Sequence, residues 1–417
     1  MSLSRLRILL AGDIFAFPHG TGSTARVLAI ARGLQAAGAD VLVLHTGYSG
    51  DTADATLNSR SSGLFEGVPF LYAAGTSRRP DTFLQRRLAR VKGLTGVAMP
   101  FAPWAGKPPD AVLLFTGHTF VLPVLARLAS GARRAVMLFD GCEQPFVYEQ
   151  DSSARRLEER LYTPVAYRLY DGIFVISEHL ERYFASRVRR GARTLLVPIL
   201  VDVERFAVGV PRSPDRPRYI AYTGELSASK GVHDLVSAFA ALATDFPDVT
   251  LRLSGSPNPT SYRDRLLALI RQLGIGPRVE FLGTVPYQDF PRLLREAAAL
   301  VVPHPRGTFS EAAFPTKLGE YLASGTPAVA TRVGEIERYV HDRRDIYLTP
   351  PDDPDALAAS LSHVLRHPEE AAQVGLRGRE TARACFDYRV HGARLLDFIG
   401  DLRRHHDTWP RHVGDAP

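Results

Sequence analysis

Cysteine is nearly absent: the 417 residues include two, Cys142 and Cys385. They lie far apart in sequence, so they form neither a disulfide framework nor a metal-spaced pair, and a reducing compartment is expected. Long hydrophobic runs are missing too. No stretch of eighteen apolar residues occurs, which speaks against an ordinary membrane-spanning helix, and the opening segment Leu6–Ala11 is too short for the core of a secretion signal. The expected location is therefore the cytoplasm. Low-complexity tracts are also wanting, and an apolar fraction of 45% with a charged fraction of 23% places the chain among ordinary globular proteins. Lysine is the scarcest charged residue. Only Lys92, Lys107, Lys230 and Lys317 stand among 51 basic residues, and where arginine is the default cation a lysine points to a place where a compact ammonium serves better.

What is present divides in two. A chain of 417 residues exceeds what one hydrophobic core usually supports. The formal charge of +7 lies wholly in the first half, where 25 basic residues in 1–209 face 18 acidic ones, against 26 and 26 in the remainder. Such asymmetry suggests different partners for the halves. Short apolar runs alternate with amphipathic helical stretches, the pattern of parallel sheets wrapped by helices. Strands are expected at Arg7–Ala11, Asp40–His45, Ala111–Phe115, Ala135–Phe139, Gly172–Ile176 and Thr194–Val197. A helix beginning near Gly22 carries Val27, Ile30, Ala31 and Leu34 at helical spacing before Gly38 stops it.

Residues 210–217, VPRSPDRP, read as a linker. The alternation then restarts, with strands at Arg218–Tyr222, Val249–Leu253, Val279–Leu282, Leu300–Val302, Ala328–Thr331 and Ile346–Leu348. The expected division is an N-terminal domain over 1–209, a C-terminal domain over 218–386, a helix over 387–404 that caps either domain, and a frayed tail over 405–417. The fold class is α/β, two doubly wound Rossmann-like domains facing a cleft. Open parallel sheets bind ligands beyond the carboxyl ends of their strands, so chemistry is sought in the strand-to-helix loops.

One such loop follows Leu300–Val302 and runs PHPRGTFSEAAFPTKLGEYLASGTPAVAT from Pro303 to Thr331. Pro315 suits the first helical position and Gly325 the residue past the end, which brackets a short helix. Its N-terminus, at Pro315 and Thr316, presents N–H groups to which a phosphate would be welcome. Lys317 and Glu320 share a face at a spacing of three. A carboxylate there can grip both ribose hydroxyls while the ammonium offsets diphosphate charge; the ordinary alternative is a surface ion pair. A second segment, YTGELSASKG from Tyr222 to Gly231, leaves a strand through Gly224 and reaches a helix at Lys230. Small residues let a diphosphate approach the backbone, and the lysine supplies charge at the leaving group.

In this order, and about ninety residues apart, the two segments resemble family 4 of the retaining glycosyltransferases with the GT-B fold. The glycine, small residues and lysine-glycine of Gly224–Gly231 resemble one motif. Glu311–Val329, with two glutamates before Gly-x-Pro-x-Val, resembles another. Leu196–Phe206 resembles the interdomain passage, and Pro18–Ser23 the glycine-rich first loop. The resemblance implies a metal-independent transferase without a cofactor, using a UDP-, GDP- or ADP-sugar donor and a saccharide, lipid-linked or small-molecule hydroxyl acceptor, with no nucleic-acid partner. It implies that Lys230 binds the donor diphosphate, Glu320 the ribose and Glu311 the transferred sugar, and that Gly20 and Gly22 let the first loop approach the donor. Surface polysaccharide or glycolipid synthesis is the expected setting. Two departures stand out. The family carries arginine where this chain has Glu225, and Lys317 is expected to compensate. Its glutamates are eight apart, whereas Glu311 and Glu320 are nine apart, so strict register would name Ala312.

Further candidates follow the strands of the first half. His118 is placed to bond a donor hydroxyl or guide the acceptor, or to cap a helix. Asp140, Glu143 and Glu149 are candidates for acceptor hydroxyls, or solvated loop residues. Gly20–Ala25 formally matches a dinucleotide fingerprint, but Asp13–His19 intervene after the strand and no ribose-binding acid follows His45, so the match is incidental. Asp353-Pro354-Asp355 reads as a helix start, not a metal site. Phe83, Leu84, Leu88, Val91 and Leu94 form an apolar stripe amid Arg79, Arg86, Arg87, Arg90 and Lys92. A core-facing helix and a peripheral contact with anionic lipid on the inner membrane face both fit it. A sugar-nucleotide epimerase or phosphorylase, or a silent binding protein, remains an alternative to a transferase.

Overall fold

The computed structural model describes residues 5–49, 58–97, 104, 106–117, 121–133, 135–142, 165–207, 218–258, 261–312 and 314–408. The chain forms two compact units, residues 1–197 with 388–417 and residues 198–387. In the first, chain order is β1 (Arg7–Gly12), α1 (Gly22–Ala36), β2 (Asp40–His45), β3 (Ser62–Phe65), β4 (Val68–Tyr72), α2 (Phe83–Gly96), β5 (Ala111–Phe115), α3 (Val121–Arg133), β6 (Val136–Gly141), β7 (Gly172–Val175), α4 (Glu178–Ala185) and β8 (Arg193–Leu196).

These strands make one sheet in the order β3-β4-β2-β1-β5-β6-β7-β8 among the described residues. Ile8, Leu9, Leu10 and Ala11 are inaccessible to solvent, because a central parallel strand is covered on both faces and so reads as a continuous apolar run. Only β3 is antiparallel to its neighbour, with Phe65 opposite Val68. That hairpin was not anticipated. It turns at Glu66 and Gly67, both at positive φ, as a tight two-residue connection demands, but β3 is an exposed edge with little apolar alternation to announce it.

The second unit contains α5 (Val203–Ala207), β9 (Arg218–Thr223), α6 (Val232–Ala243), β10 (Val249–Ser254), α7 (Tyr262–Gln272), β11 (Val279–Gly283), α8 (Phe290–Arg295), β12 (Ala299–Val302), α9 (Thr308–Ala312), α10 (Thr316–Ser324), β13 (Ala328–Thr331), β14 (Tyr347–Thr349), α11 (Pro354–Arg366) and α12 (Pro368–Cys385). Its sheet runs β11-β10-β9-β12-β13-β14, and every pairing is parallel. Strand order reverses between β9 and β12. At such a reversal the loops leaving neighbouring strands diverge and open a crevice at the carboxyl end of the sheet.

Two boundaries differ from expectation. The first domain ends at Val197, not 209, since residues 198–207 pack with the second unit. The Val201 N–H donates to the Phe386 carbonyl at 2.8 Å, Phe206 is buried, and Glu204 pairs with Arg383 at 3.2 Å. The expected linker, 210–217, lies outside the described residues. The last helix, α13 (Tyr388–Thr408), belongs to the first unit and extends into the stretch expected to fray. It lies against α1 where glycines meet: a Cβ on Gly392 would fall 2.1 Å from the Gly33 carbonyl oxygen. No described helix is long and apolar enough to cross a membrane.

Candidate functional site

The crevice of the second sheet is built from two loops. At the end of β9 the Thr223 N–H donates to the Tyr321 hydroxyl at 2.8 Å, which ties the strand to α10. Gly224 follows at φ 144°. The Tyr222 hydroxyl donates to the Glu225 carbonyl at 2.7 Å, and the Glu225 side chain accepts from Asn258 Nδ2 at 2.8 Å. One 3-10 turn, Ala228–Lys230, leads to Gly231 at φ 68°. A Cβ there would lie 1.7 Å from the Pro303 carbonyl oxygen, so only glycine lets this loop touch the one leaving β12.

That contact sets Lys230 beside His304. Burial first, and then the nearby Lys230 ammonium, hold the His304 imidazole down to about 3, so it is neutral at physiological pH. The His304 carbonyl accepts from the Thr331 hydroxyl at 2.6 Å. Nothing in the sequence pattern singled out His304, because its role depends on a neighbour more than seventy positions away.

The other wall is α10. Pro315, expected as the first helical residue, is instead the extended residue before it, at ψ 103°, and the helix starts at Thr316 and closes on Gly325 at φ 73°. Thr316 is exposed. Tyr321 is fully buried, and its burial raises the phenol well above its usual range while Thr223 holds it. Replacing Tyr321 with phenylalanine leaves the buried Thr223 N–H without its acceptor. A loss of about 2 kcal/mol is expected, read as a lower melting transition of the second unit; an unchanged transition would refute this reading of the strap.

Lys317 lies on the outer side of the same helix, with Nζ 2.9 Å from Glu320 Oε2 and 4.8 Å from the centre of the Phe290 ring. This revises the role expected for Lys317, since its charge is directed to Glu320 and an aromatic face. Glu320 Oε2 is buried against that ammonium. Glu311 is exposed on α9, whereas Ala312, which strict spacing names, is buried.

In the first unit Gly20 and Gly22 stand at the entry to α1. A Cβ on Gly20 would lie 2.3 Å from Thr24 Oγ1, and that hydroxyl donates to the Ala16 carbonyl at 2.6 Å. Asp140 corrects an expectation. Its carboxylate is buried and clasped by Arg26, with Nε to Oδ2 at 2.7 Å and Nη2 to Oδ1 at 2.8 Å, and Cys142 Sγ donates to Oδ2 at 2.7 Å. Both oxygens are engaged, so Asp140 is a structural anion and not an acceptor ligand. Burial opposes the Arg26 charge, but Asp140 and Cys142 raise its pKa above the ordinary value. Arg26 escaped notice because arginine in an amphipathic helix reads as its solvent side. His118, Glu143 and Glu149 lie outside the described residues. Among the described residues no three His, Cys, Asp or Glu side chains gather as metal ligands.

Comparison with known proteins supplies the family. The family described as "Glycosyl transferase 4-like domain" matches residues 21–199, and "Glycosyl transferases group 1" matches residues 204–381. A D-inositol 3-phosphate glycosyltransferase of Corynebacterium kroppenstedtii is 28% identical over 69% of this chain and 62% of its own. A GDP-mannose-dependent alpha-(1-6)-phosphatidylinositol monomannoside mannosyltransferase of Mycolicibacterium smegmatis is 28% identical over 56% of this chain and 63% of its own. The chain spans from 43% to 63% of the length of such relatives. Among solved structures, a sucrose-phosphate synthase from Thermosynechococcus elongatus superposes with TM-score 0.71 at 20% identity, over 96% of this chain and all of that one. An Anabaena protein, HepE, in complex with UDP and glucose, gives 0.70 at 19%, over 95% of this chain and all of that one. At such identities the likeness establishes the fold. With one family domain matched in each half and this architecture throughout, the chain belongs to the family 4 glycosyltransferases of the GT-B fold.

Proposed function

We propose that this protein is a retaining hexosyltransferase that takes its sugar from a nucleotide diphosphate donor and passes it to a hydroxyl acceptor, in surface polysaccharide or glycolipid synthesis. The observation that carries the reading is the junction of the β9 and β12 loops, where Gly231 abuts Pro303 and Lys230 lies by the buried neutral His304. A neutral imidazole leaves Lys230 as the cation for the departing diphosphate. The amides at the α10 start add donors for charge that develops in the transition state. Glu320, steadied by Lys317, takes the ribose hydroxyls, and exposed Glu311 the transferred sugar. The acceptor hydroxyl enters on the leaving-group face, and the charges are met by lysine and amides, without a metal. We place the reaction in the cytoplasm, where a chain with two distant cysteines needs no disulfide.

Incubation with UDP-, GDP- and ADP-sugars tests this directly. Slow release of the nucleoside diphosphate, stimulated by acceptor and giving a product of unchanged anomeric configuration, is the expected result. Conversion of the sugar nucleotide without transfer would replace it with an epimerase, and no turnover of any donor would overturn it. A melting-temperature screen with the same compounds identifies the donor, since a ligand preferring the native state stabilises it by mass action. Lys317→Met is expected to raise the donor KM about fivefold with little change in kcat, because Glu320 loses its ion partner and ribose contacts act in ground and transition states alike. Replacement of exposed Lys107 is the control; equal, small effects at both positions would remove the role given to Lys317.

A further inference from the structure

The apolar stripe of α2 is turned outward. The buried side of this helix is small: Ala89, Gly93 and Gly96. A Cβ on Gly93 would lie 1.9 Å from the Thr46 carbonyl oxygen, and one on Gly96 2.4 Å from Ala73 Cβ. The helix thus lies on the chain just beyond β2 and β4 as closely as a glycine face permits. On the opposite side of a 3.6-residue repeat are Leu84, Leu88 and Val91. All three are exposed, Leu84 at 77% of its accessible surface, and Phe83 joins them. This decides against the core-facing alternative. α3 packs beside α2 and adds exposed Val121, Val124 and Leu128.

Charge defines what covers such a face. Arg86 and Arg90 flank the stripe on one side and Lys92 on the other, while the Arg87 guanidinium lies 4.9 Å from the centre of the Phe83 ring. From Thr82 to Arg134 the sequence holds one acid, Asp110, and that one is buried and bonded by Arg7. A second copy would set the same positive charge against itself, which disfavours self-association. An apolar stripe between rows of cations, on a helix with no acid, fits a surface that is anionic outside and apolar just beneath.

We propose that α2 seats the first unit on a bilayer bearing anionic phospholipid, its axis in the plane of the surface. Leu84, Leu88 and Val91 enter the acyl boundary, and Arg86, Arg87, Arg90 and Lys92 meet the headgroups. The inference goes beyond sugar transfer and does not depend on it, so its test needs no donor. The full chain is floated with vesicles of phosphatidylcholine alone, or mixed with an equal part of phosphatidylglycerol, at low and high salt. Binding to the mixed vesicles alone is expected, weakened by salt. Leu84→Glu with Leu88→Glu should reduce it at least about tenfold, and each of Arg86→Gln, Arg87→Gln and Arg90→Gln about fivefold. These side chains are exposed or half-exposed, so an unchanged melting temperature verifies the fold of each variant. Equal binding to neutral vesicles, no binding to either, or binding indifferent to the leucine changes would overturn the proposal. So would a dimer in sedimentation that the leucine changes abolish, which would make a second copy the occupant.

Discussion

Lys230→Ala is expected to lower kcat for transfer by about 10²–10³, the usual cost of removing one donor aimed at developing charge, while the melting temperature of the second unit stays unchanged. Lys230 is half-buried and lies where the β9 loop touches the β12 loop, beside an imidazole that cannot share its charge at neutral pH. No second cation is therefore supplied by His304 when the lysine is lost. Lys230→Arg should recover little activity, since a planar guanidinium does not stand in for a compact ammonium. The measurement is single-turnover release of nucleoside diphosphate at saturating donor. Retention of activity within threefold would mean that the leaving group departs elsewhere, and the donor site would have to be sought away from this junction.

Arg26→Met should destabilise the first unit by about 3–5 kcal/mol, because it strands the Asp140 carboxylate in the interior without its partner. Among the described residues this is the most deeply buried arginine–carboxylate pair: Arg26 retains 6% of its side-chain exposure and Asp140 none. Arg26 also donates to the Val197 carbonyl at 3.3 Å, so it ties α1 and β6 to the end of the unit. The double change Arg26→Met with Asp140→Leu should recover most of the loss, since removing both charges also removes the desolvation cost of each. Denaturant melts read by hydrogen exchange in β1 and β6 separate the two cases. A single variant as stable as the parent would show that water reaches the carboxylate.

Much of the fold was legible in sequence. Buried parallel strands must be apolar on both faces, so Ile8–Ala11, Val41–Leu44 and Leu300–Val302 announce themselves, and their alternation with helical stretches implies doubly wound sheets. The segments that bear Lys230 and Glu320 could be read for a related reason. Gly231 and Gly325 are forced by backbone conformations at positive φ, and a glycine required by local geometry marks its place without knowledge of distant residues. The short edge strand β3 was missed because an exposed edge has no such constraint.

The partners of charged groups were not legible. Asp140 follows a strand just as a ligand-binding acid would, and only the packing of α1 across β6 shows that Arg26 consumes both its oxygens. The same is true of α2, whose periodicity reveals that it is amphipathic but not which side faces in. Sequence alone determined the two sheets, their strand-to-helix loops and the lysines and glutamates those loops carry. Tertiary structure decided that Lys230 stands by His304, that Lys317 steadies Glu320, and that glycines rather than leucines bury α2. The reason is physical: backbone conformation and burial leave a local imprint on residue type, whereas electrostatic pairing and helix orientation depend on which distant surfaces come within a few ångströms.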